Sequence, residues 1–126
     1  MHVRCDDADG AVAAAAAYYE AMVESDGERL RQLFHERAII AGHFGDGLEL
    51  ANLEEFISST VDAKNGDGPF DYRLERLEMV GDTAVVTVGG YSYGRWFTDH
   101  LTMLKIEGRW LIMNKTFFCH PEGYKW

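Results

Sequence analysis

Trp96-Phe97-Thr98-Asp99-His100-Leu101-Thr102-Met103-Leu104-Lys105-Ile106-Glu107-Gly108-Arg109-Trp110-Leu111-Ile112-Met113-Asn114-Lys115-Thr116-Phe117-Phe118-Cys119 sets charged and polar groups among large apolar ones on both sides of Glu107-Gly108. The alternation and the glycine-bearing break predict two long antiparallel strands around one tight turn. Asp99 stands among large apolar side chains in the first of them. A carboxyl group so placed is either hidden at a cost or kept for a use.

The turn decides the partners of Asp99, because a slip of one residue changes every cross-strand pair. If Gly108 takes the left-handed position of a type I turn with a G1 bulge, Asp99 lies opposite Lys115 and shares its face with Phe97, Leu101, Met103, Met113 and Phe117. If the loop is a two-residue turn, Asp99 faces Thr116 and Asn114. The bulged turn is the preferred reading, since one face then receives an apolar set plus one acid and one base. Next to Lys115, a buried Asp99 is held as an ion pair; without it, burial favours the neutral, proton-donating form.

Outward from this hairpin the second half of the chain carries further strand signals at Phe70 to Val80 and Thr83 to Tyr93, with Gly81-Asp82 as another turn point. The first half is helical. Asp7 or Asp9 caps a helix reaching about Val23, with Tyr18, Tyr19 and Met22 at helical spacing in an alanine-rich run. Ser25-Asp26-Gly27-Glu28 is a capping-box pattern before Leu30, Leu33 and Phe34, and Asn52-Leu53-Glu54-Glu55 opens a third helix that buries Phe56, Ile57 and Val61. Between them Arg37 to His43 reads as a short strand that enters a loop at Gly42, Gly45 and Gly47. Asn65-Gly66-Asp67-Gly68-Pro69 separates the two halves. Helices grouped before antiparallel strands indicate an α+β domain, and residues 1–126 are expected to form one.

Composition narrows the function. The chain has 126 residues, 47% of them hydrophobic, and a net charge of −9. A diffuse acidic excess opposes phosphate backbones and anionic membranes, so no nucleic acid and no membrane partner is expected. The longest apolar run, Ala11 to Tyr19, is far shorter than the roughly 20 residues of a membrane span. Met1 to Asp7 shows no secretory pattern, so the expected location is cytoplasmic. Cys5 and Cys119 lack metal or redox spacing and are read as free thiols, and His35, His43, His100 and His120 share no ligand spacing, so neither a metal nor another cofactor is expected.

Tyr18-Tyr19-Glu20-Ala21-Met22, Asp26, Leu30-Arg31-Gln32-Leu33-Phe34-His35, Ala38, Asp99-His100-Leu101 and Glu107-Gly108-Arg109-Trp110-Leu111-Ile112 together carry a resemblance over nearly the whole chain. It resembles the nuclear transport factor 2-like superfamily, with its SnoaL-like and ketosteroid isomerase-like members. Leu104 to Trp110 followed by Asn114-Lys115 is most similar to the small bacterial subgroup named "putative lumazine-binding" proteins. The resemblance implies a cone-shaped α+β barrel: three N-terminal helices on a strongly curved, mainly antiparallel sheet, a pocket between them, and a homodimer through the outer sheet face. In ketosteroid isomerases of this scaffold, a tyrosine on the first helix and a protonated aspartic acid on a late strand donate to the substrate oxyanion. The same resemblance puts Tyr18 at the tyrosine's position and Asp99 at the aspartic acid's. Gly42 falls where those enzymes carry their aspartate base, so the base is missing. Its neighbour His43 belongs to the opposite strand face.

Candidate catalytic residues are therefore Tyr18, Asp99, Lys115 and His43, and candidate ligand contacts are Tyr91, Tyr93, Trp96, Phe97, Leu101, Met103, Met113 and Phe117. Each has a structural reading too. Tyr18 packs a helix on a sheet, Lys115 sends its amine to the rim, and Tyr91, Tyr93 and Trp96 form an aromatic layer around flexible glycines. Cys119 and His120 would make a nucleophile pair only with a base in reach and a depressed thiol pKa. Two functions compete. One is cofactor-independent acid-base catalysis, namely isomerisation, cyclisation or dehydration of a hydrophobic, oxygen-bearing metabolite. The other is a non-catalytic binding or dimerisation module, and a cavity of about 300 Å³ or more reaching Asp99 favours a ligand site.

Overall fold

Gly108 does turn left-handed, but so does Glu107, and this pair sets the register of the sheet. In the computed structural model, which describes residues 5–63 and 69–125, Glu107 has φ 51° and Gly108 φ 80°. Two positive φ values are the mark of a two-residue type I′ turn, whose twist matches that of the flanking strands. Ile106 accordingly pairs with Arg109. The extra residue expected at the turn is instead inserted within the strand: Met103 pairs with Ile112 but Thr102 with Asn114, so Met113 is bulged. Asp99 therefore lies opposite Phe117, and Lys115 opposite Leu101. This corrects the preferred reading, in which Asp99 opposed Lys115. The alternative pairing with Thr116 is also not formed, because the Met113 bulge shifts the second half of the ladder by one residue.

The chain runs α1 (Cys5–Val23), α2 (Gly27–Leu33), β1 (Phe34–Phe44), β2 (Gly47–Asn52), α3 (Leu53–Ala63), β3 (Asp71–Val80), β4 (Thr83–Ser92), β5 (Arg95–Ile106) and β6 (Arg109–Cys119). Asp7 and Asp9 lie inside α1 and do not cap it; the Asp7 carboxylate pairs with the Lys105 ammonium. Asp26 caps α2, accepting from the Arg29 amide at 3.1 Å, and the helix stops at Leu33 because Phe34 is already extended. At α3 the Asn52 and Glu55 side chains cap each other's amides at 2.8 and 2.9 Å. The glycine loop expected after His43 is a hairpin: Gly45-Asp46 joins β1 to β2, with Gly45 at φ 63°. The separator at Asn65 to Gly68 and the Cys5 thiol lie outside the described residues and side chains.

The six strands form one mixed, open, curved sheet in the order β2-β1-β6-β5-β4-β3, with β1 and β6 parallel and every other pair antiparallel. The three helices cover its inner face: α1 lies against β3, β4 and β6, α2 against β1 and β6, and α3 against β1 and β2. Ala11, Ala14, Ala15, Tyr18, Ala21 and Met22 make the buried stripe of α1, and the alanines let its backbone approach the sheet. Cross-strand register aligns the inner face in rows. One row reads Glu49, Gly42, Phe117, Asp99, Val88; the next reads Ala51, Ile40, Lys115, Leu101, Val86.

Gly42 is the gap in the first row. A Cβ there would stand 2.5 Å from the Phe117 carbonyl oxygen and 2.7 Å from its ring. Gly42→Ala is therefore expected to destabilise the fold by about 1–3 kcal/mol, the cost of overpacking. Urea denaturation checks this; an unchanged midpoint would show that β1 and β6 do not need this close approach.

Candidate active site

α1 and β5 meet at a hydrogen bond in the core. The Tyr18 hydroxyl donates to Asp99 Oδ2 at 2.7 Å, with Met22 Sδ 3.4 Å from the Tyr18 hydroxyl oxygen. Tyr18 is fully buried, and Asp99 is 5% exposed. Burial first, and the Asp99 carboxyl group second, push the Tyr18 hydroxyl well above its ordinary pKa, so it remains a protonated donor. Asp99 Oδ1 is buried and, among the described residues, has no hydrogen-bond partner. A buried polar atom left unpaired costs about 1–3 kcal/mol, so it calls for a use.

Lys115 is the second anomaly. It is 6% exposed and, among the described residues, its amine has neither an ion pair nor a hydrogen bond. Its Nζ lies 4.5 Å from the ring centre of Phe56, 5.2 Å from that of Tyr18 and 5.3 Å from that of Phe117. Burial lowers its pKa below the ordinary lysine value, and Asp99 and Glu49 only partly offset this. The Asp99–Lys115 ion pair weighed in the sequence is thus not made, because the two residues lie in adjacent rows and not opposite each other.

Asp99 and Lys115 both line one cavity of about 250 Å³ between the helices and the sheet. Tyr19 and Met22 of α1, Phe56, Ser59 and Thr60 of α3, and Phe97 and Phe117 of the sheet form its walls. Half-exposed Phe44 stands at its edge and stacks on Phe97 with ring centres 6.0 Å apart. Glu49 also lines it. Cross-strand pairing with Gly42 puts Glu49 on the inner face, so an acid projects from β2 beside the position where β1 has none.

Of the residues singled out from sequence, the structure brings Asp99, Lys115, Tyr93, Phe97 and Phe117 to the cavity. Tyr18 stands behind Asp99 and acts on the cavity only through it. Leu101 and Met103 are buried on the inner face but outside the lining, and the half-buried Tyr91, Trp96 and bulged Met113 are outside it too. Tyr91 and Trp96 pair edge to face at 4.9 Å. His43 is exposed on the outer face opposite Leu48, which removes it as a proton carrier for this cavity. His100 also faces outward, with its ring 3.1 Å from the Thr87 hydroxyl. Cys119 Sγ contacts the His120 carbonyl at 3.8 Å and not its ring, and burial pushes the thiol pKa up, against a nucleophilic role. Among the described residues no three His, Cys, Asp or Glu side chains converge as metal ligands would, and no helix is long and apolar enough to cross a membrane.

Sequence reasoning missed Glu49, Tyr19, Phe56 and Thr60. Glu49 was missed with its hairpin, although Gly45-Asp46 flanked by Ile39-Ile40 and Leu48-Glu49-Leu50 carried the signal. Tyr19 fits under the sheet because Gly90 has no side chain: a Cβ there would lie 2.8 Å from the ring. Its hydroxyl donates to the Tyr91 carbonyl at 2.6 Å and accepts from the Asp71 amide at 3.0 Å, while burial raises its pKa to about 12.

Residues 6–118 match the model of the family described as "Putative lumazine-binding". The chain belongs to that family. This lumazine-binding family chain is also a member of the nuclear transport factor 2-like superfamily. An NTF-2 like protein from Silicibacter pomeroyi DSS-3 is 25% identical and superposes with a TM-score of 0.89 over 94% of this chain and 100% of that one. A ketosteroid isomerase-like protein from Erwinia carotovora atroseptica has a TM-score of 0.76 at 13% identity, over 94% and 99% of the two chains, and shows the fold alone. A fungal relative, aldolase FrzH of a Cladobotryum species, is 28% identical over 96% of this chain and 98% of its own length.

Lys115→Met is expected to make this family member more stable at pH 7 by ~1 kcal/mol, about 4 °C in Tm, because it removes a desolvated amine that lacks a partner. The sign follows from linkage. The unfolded chain holds the lysine proton up to about pH 10.4, and the folded chain releases it at lower pH. Between those values the unfolded state binds more protons, so wild-type stability rises with pH and the variant's advantage shrinks. Paired thermal melts from pH 6 to 10 check this; an advantage that is absent or grows with pH would contradict it.

Proposed function

We propose that this protein is a small-molecule enzyme that performs cofactor-independent acid-base chemistry on a hydrophobic carbonyl compound, through an enol or enolate. The observation that carries the reading is the Asp99 carboxyl group in the cavity lining, its Oδ2 held by Tyr18 and its Oδ1 buried without a partner among the described residues. With Oδ2 accepting from Tyr18, a proton carried by the carboxyl group sits on Oδ1, aimed at a ligand. There it donates to the carbonyl oxygen and follows the charge as it develops, the differential interaction that accelerates a reaction. The proton on the neighbouring carbon goes to a cavity base, Glu49 or Lys115. Glu49 stands in for the carboxylate that Gly42 cannot supply. Tyr18 is a positioning residue.

Isomerisation, cyclisation, dehydration and aldol chemistry all share this enolising step. The aldolase relative supports the carbon–carbon bond-forming or bond-breaking member of that group, and the isomerase-like neighbour supports it only through the scaffold. The alternative is a non-catalytic binding or dimerisation module. In its favour, the cavity volume of about 250 Å³ lies just under the usual range for ligand pockets, which starts near 300 Å³. Exposed Ile39, Leu48, Leu50 and Phe118 on β1, β2 and β6 offer an apolar outer face that suits a homodimer.

The test is exchange of the α-protons of cyclohexanone in D₂O, followed by NMR. Wild type is expected to speed exchange above the buffer rate. Asp99→Asn should bind the ketone, as read by thermal shift, yet exchange it about 10²–10³-fold more slowly. Binding without exchange in wild type would favour the binding module, and equal exchange by Asp99→Asn would remove Asp99 from the chemistry.

A further inference from the structure

Lys115 has no structural task that a methionine could not perform. It makes no ion pair or hydrogen bond among the described residues, is ringed by Tyr18, Phe56 and Phe117, and lines the same cavity as Asp99, whose Oδ1 is buried without a partner among those residues. An amine kept dry beside a proton donor is the arrangement that nucleophilic attack on a carbonyl requires, since an ammonium has no lone pair to offer. We propose that Lys115 is a covalent catalyst that forms an imine with an aldehyde or ketone substrate held in the cavity. This rests on the acid-base reading above and deepens it, leaving Glu49 as the acceptor of the carbon-bound proton.

The bonds balance with groups in the site. The Nζ lone pair attacks the carbonyl carbon, the C–N bond forms, and the carbonyl oxygen takes the proton from Asp99 Oδ1. That oxygen then takes one of the two amine protons, the C–O bond breaks, and water leaves. The nitrogen keeps its other proton as a cationic iminium, and Asp99 is left as the carboxylate. The new positive charge and the new negative charge therefore arise together in one desolvated space, where each offsets the other. Loss of the α-proton to Glu49 turns the iminium into a neutral enamine, the nucleophile of an aldol reaction.

Charge around the amine is set by few groups. Asp99 on β5 and Glu49 on β2 favour the ammonium, Tyr18 on α1 remains neutral, and among its described side chains α3 brings the Phe56 ring against the amine and the uncharged Ser59 and Thr60 to the cavity. Burial outweighs the two acids. Each unit by which the amine pKa falls raises its neutral fraction near pH 7 about tenfold.

Incubation of the whole protein with cyclohexanone and cyanoborohydride at pH 7, followed by peptide mass mapping, tests the proposal without any mutation. The reduced adduct is expected on Lys115 at least about tenfold ahead of Lys64, Lys105 and Lys125. Asp99→Asn, checked for folding by near-ultraviolet circular dichroism, should slow labelling of Lys115 and leave the other lysines unchanged. No preference for Lys115, in protein that still exchanges the ketone's α-protons, would overturn the imine and leave acid-base catalysis standing. Neither labelling nor exchange would overturn both.

Discussion

The hydrogen bond from the Tyr18 hydroxyl to Asp99 Oδ2, 2.7 Å long and buried, ties the first helix to the fifth strand and fixes which carboxyl oxygen is left unpartnered among the described residues. Everything else in the site depends on that choice. With one oxygen spent on the helix, the other is left without a protein partner, and a proton on the carboxyl group has only one place to be. An isolated Asp99 in the same place would have two equivalent oxygens and no fixed direction. The bond also gives the fully buried Tyr18 a consequence: it fixes the orientation of the Asp99 carboxyl group.

The site is built against stability. Asp99 Oδ1 lacks a partner and Lys115 sits desolvated against three rings, and each of these raises the free energy of the fold. The core absorbs the cost because the alanine stripe of α1 and the apolar rows of the sheet pack closely around it. A module that merely filled its core would gain by exchanging both groups for hydrocarbon. Their retention in a cavity is the physical argument for chemistry. Gly42 completes the arrangement: its bare backbone admits the Phe117 ring, which closes one wall, and Glu49 pairs with it from the next strand.

Much of the fold was legible in the residues. The last four strands were read almost to their ends, because their alternation and turn glycines are local signals. The resemblance carried by the Tyr18 and Asp99 segments also matched the family of the chain. What was not legible depended on backbone angles and distant contacts. Glu107 gives no residue-level warning of a positive φ, so the favoured turn was the wrong one, and the bulge at Met113 had no signal of its own. The β1–β2 hairpin was hidden by its three glycines, and Glu49 with it. The face shared by Asp99, Leu101, Lys115 and Phe117 survived these errors, because the turn and the bulge each shift that segment by one residue, and the two-residue sum restores the parity of its faces.

The central claim is that Lys115 is a dry amine in a cavity shared with Asp99. Its most direct test is the titration of lysine side chains labelled with ¹³C at Cε, followed by NMR with Lys115→Met used to assign the resonance. The account predicts that Lys115 titrates below the ordinary lysine range. A Lys115 that titrates within that range, or above it, would contradict it.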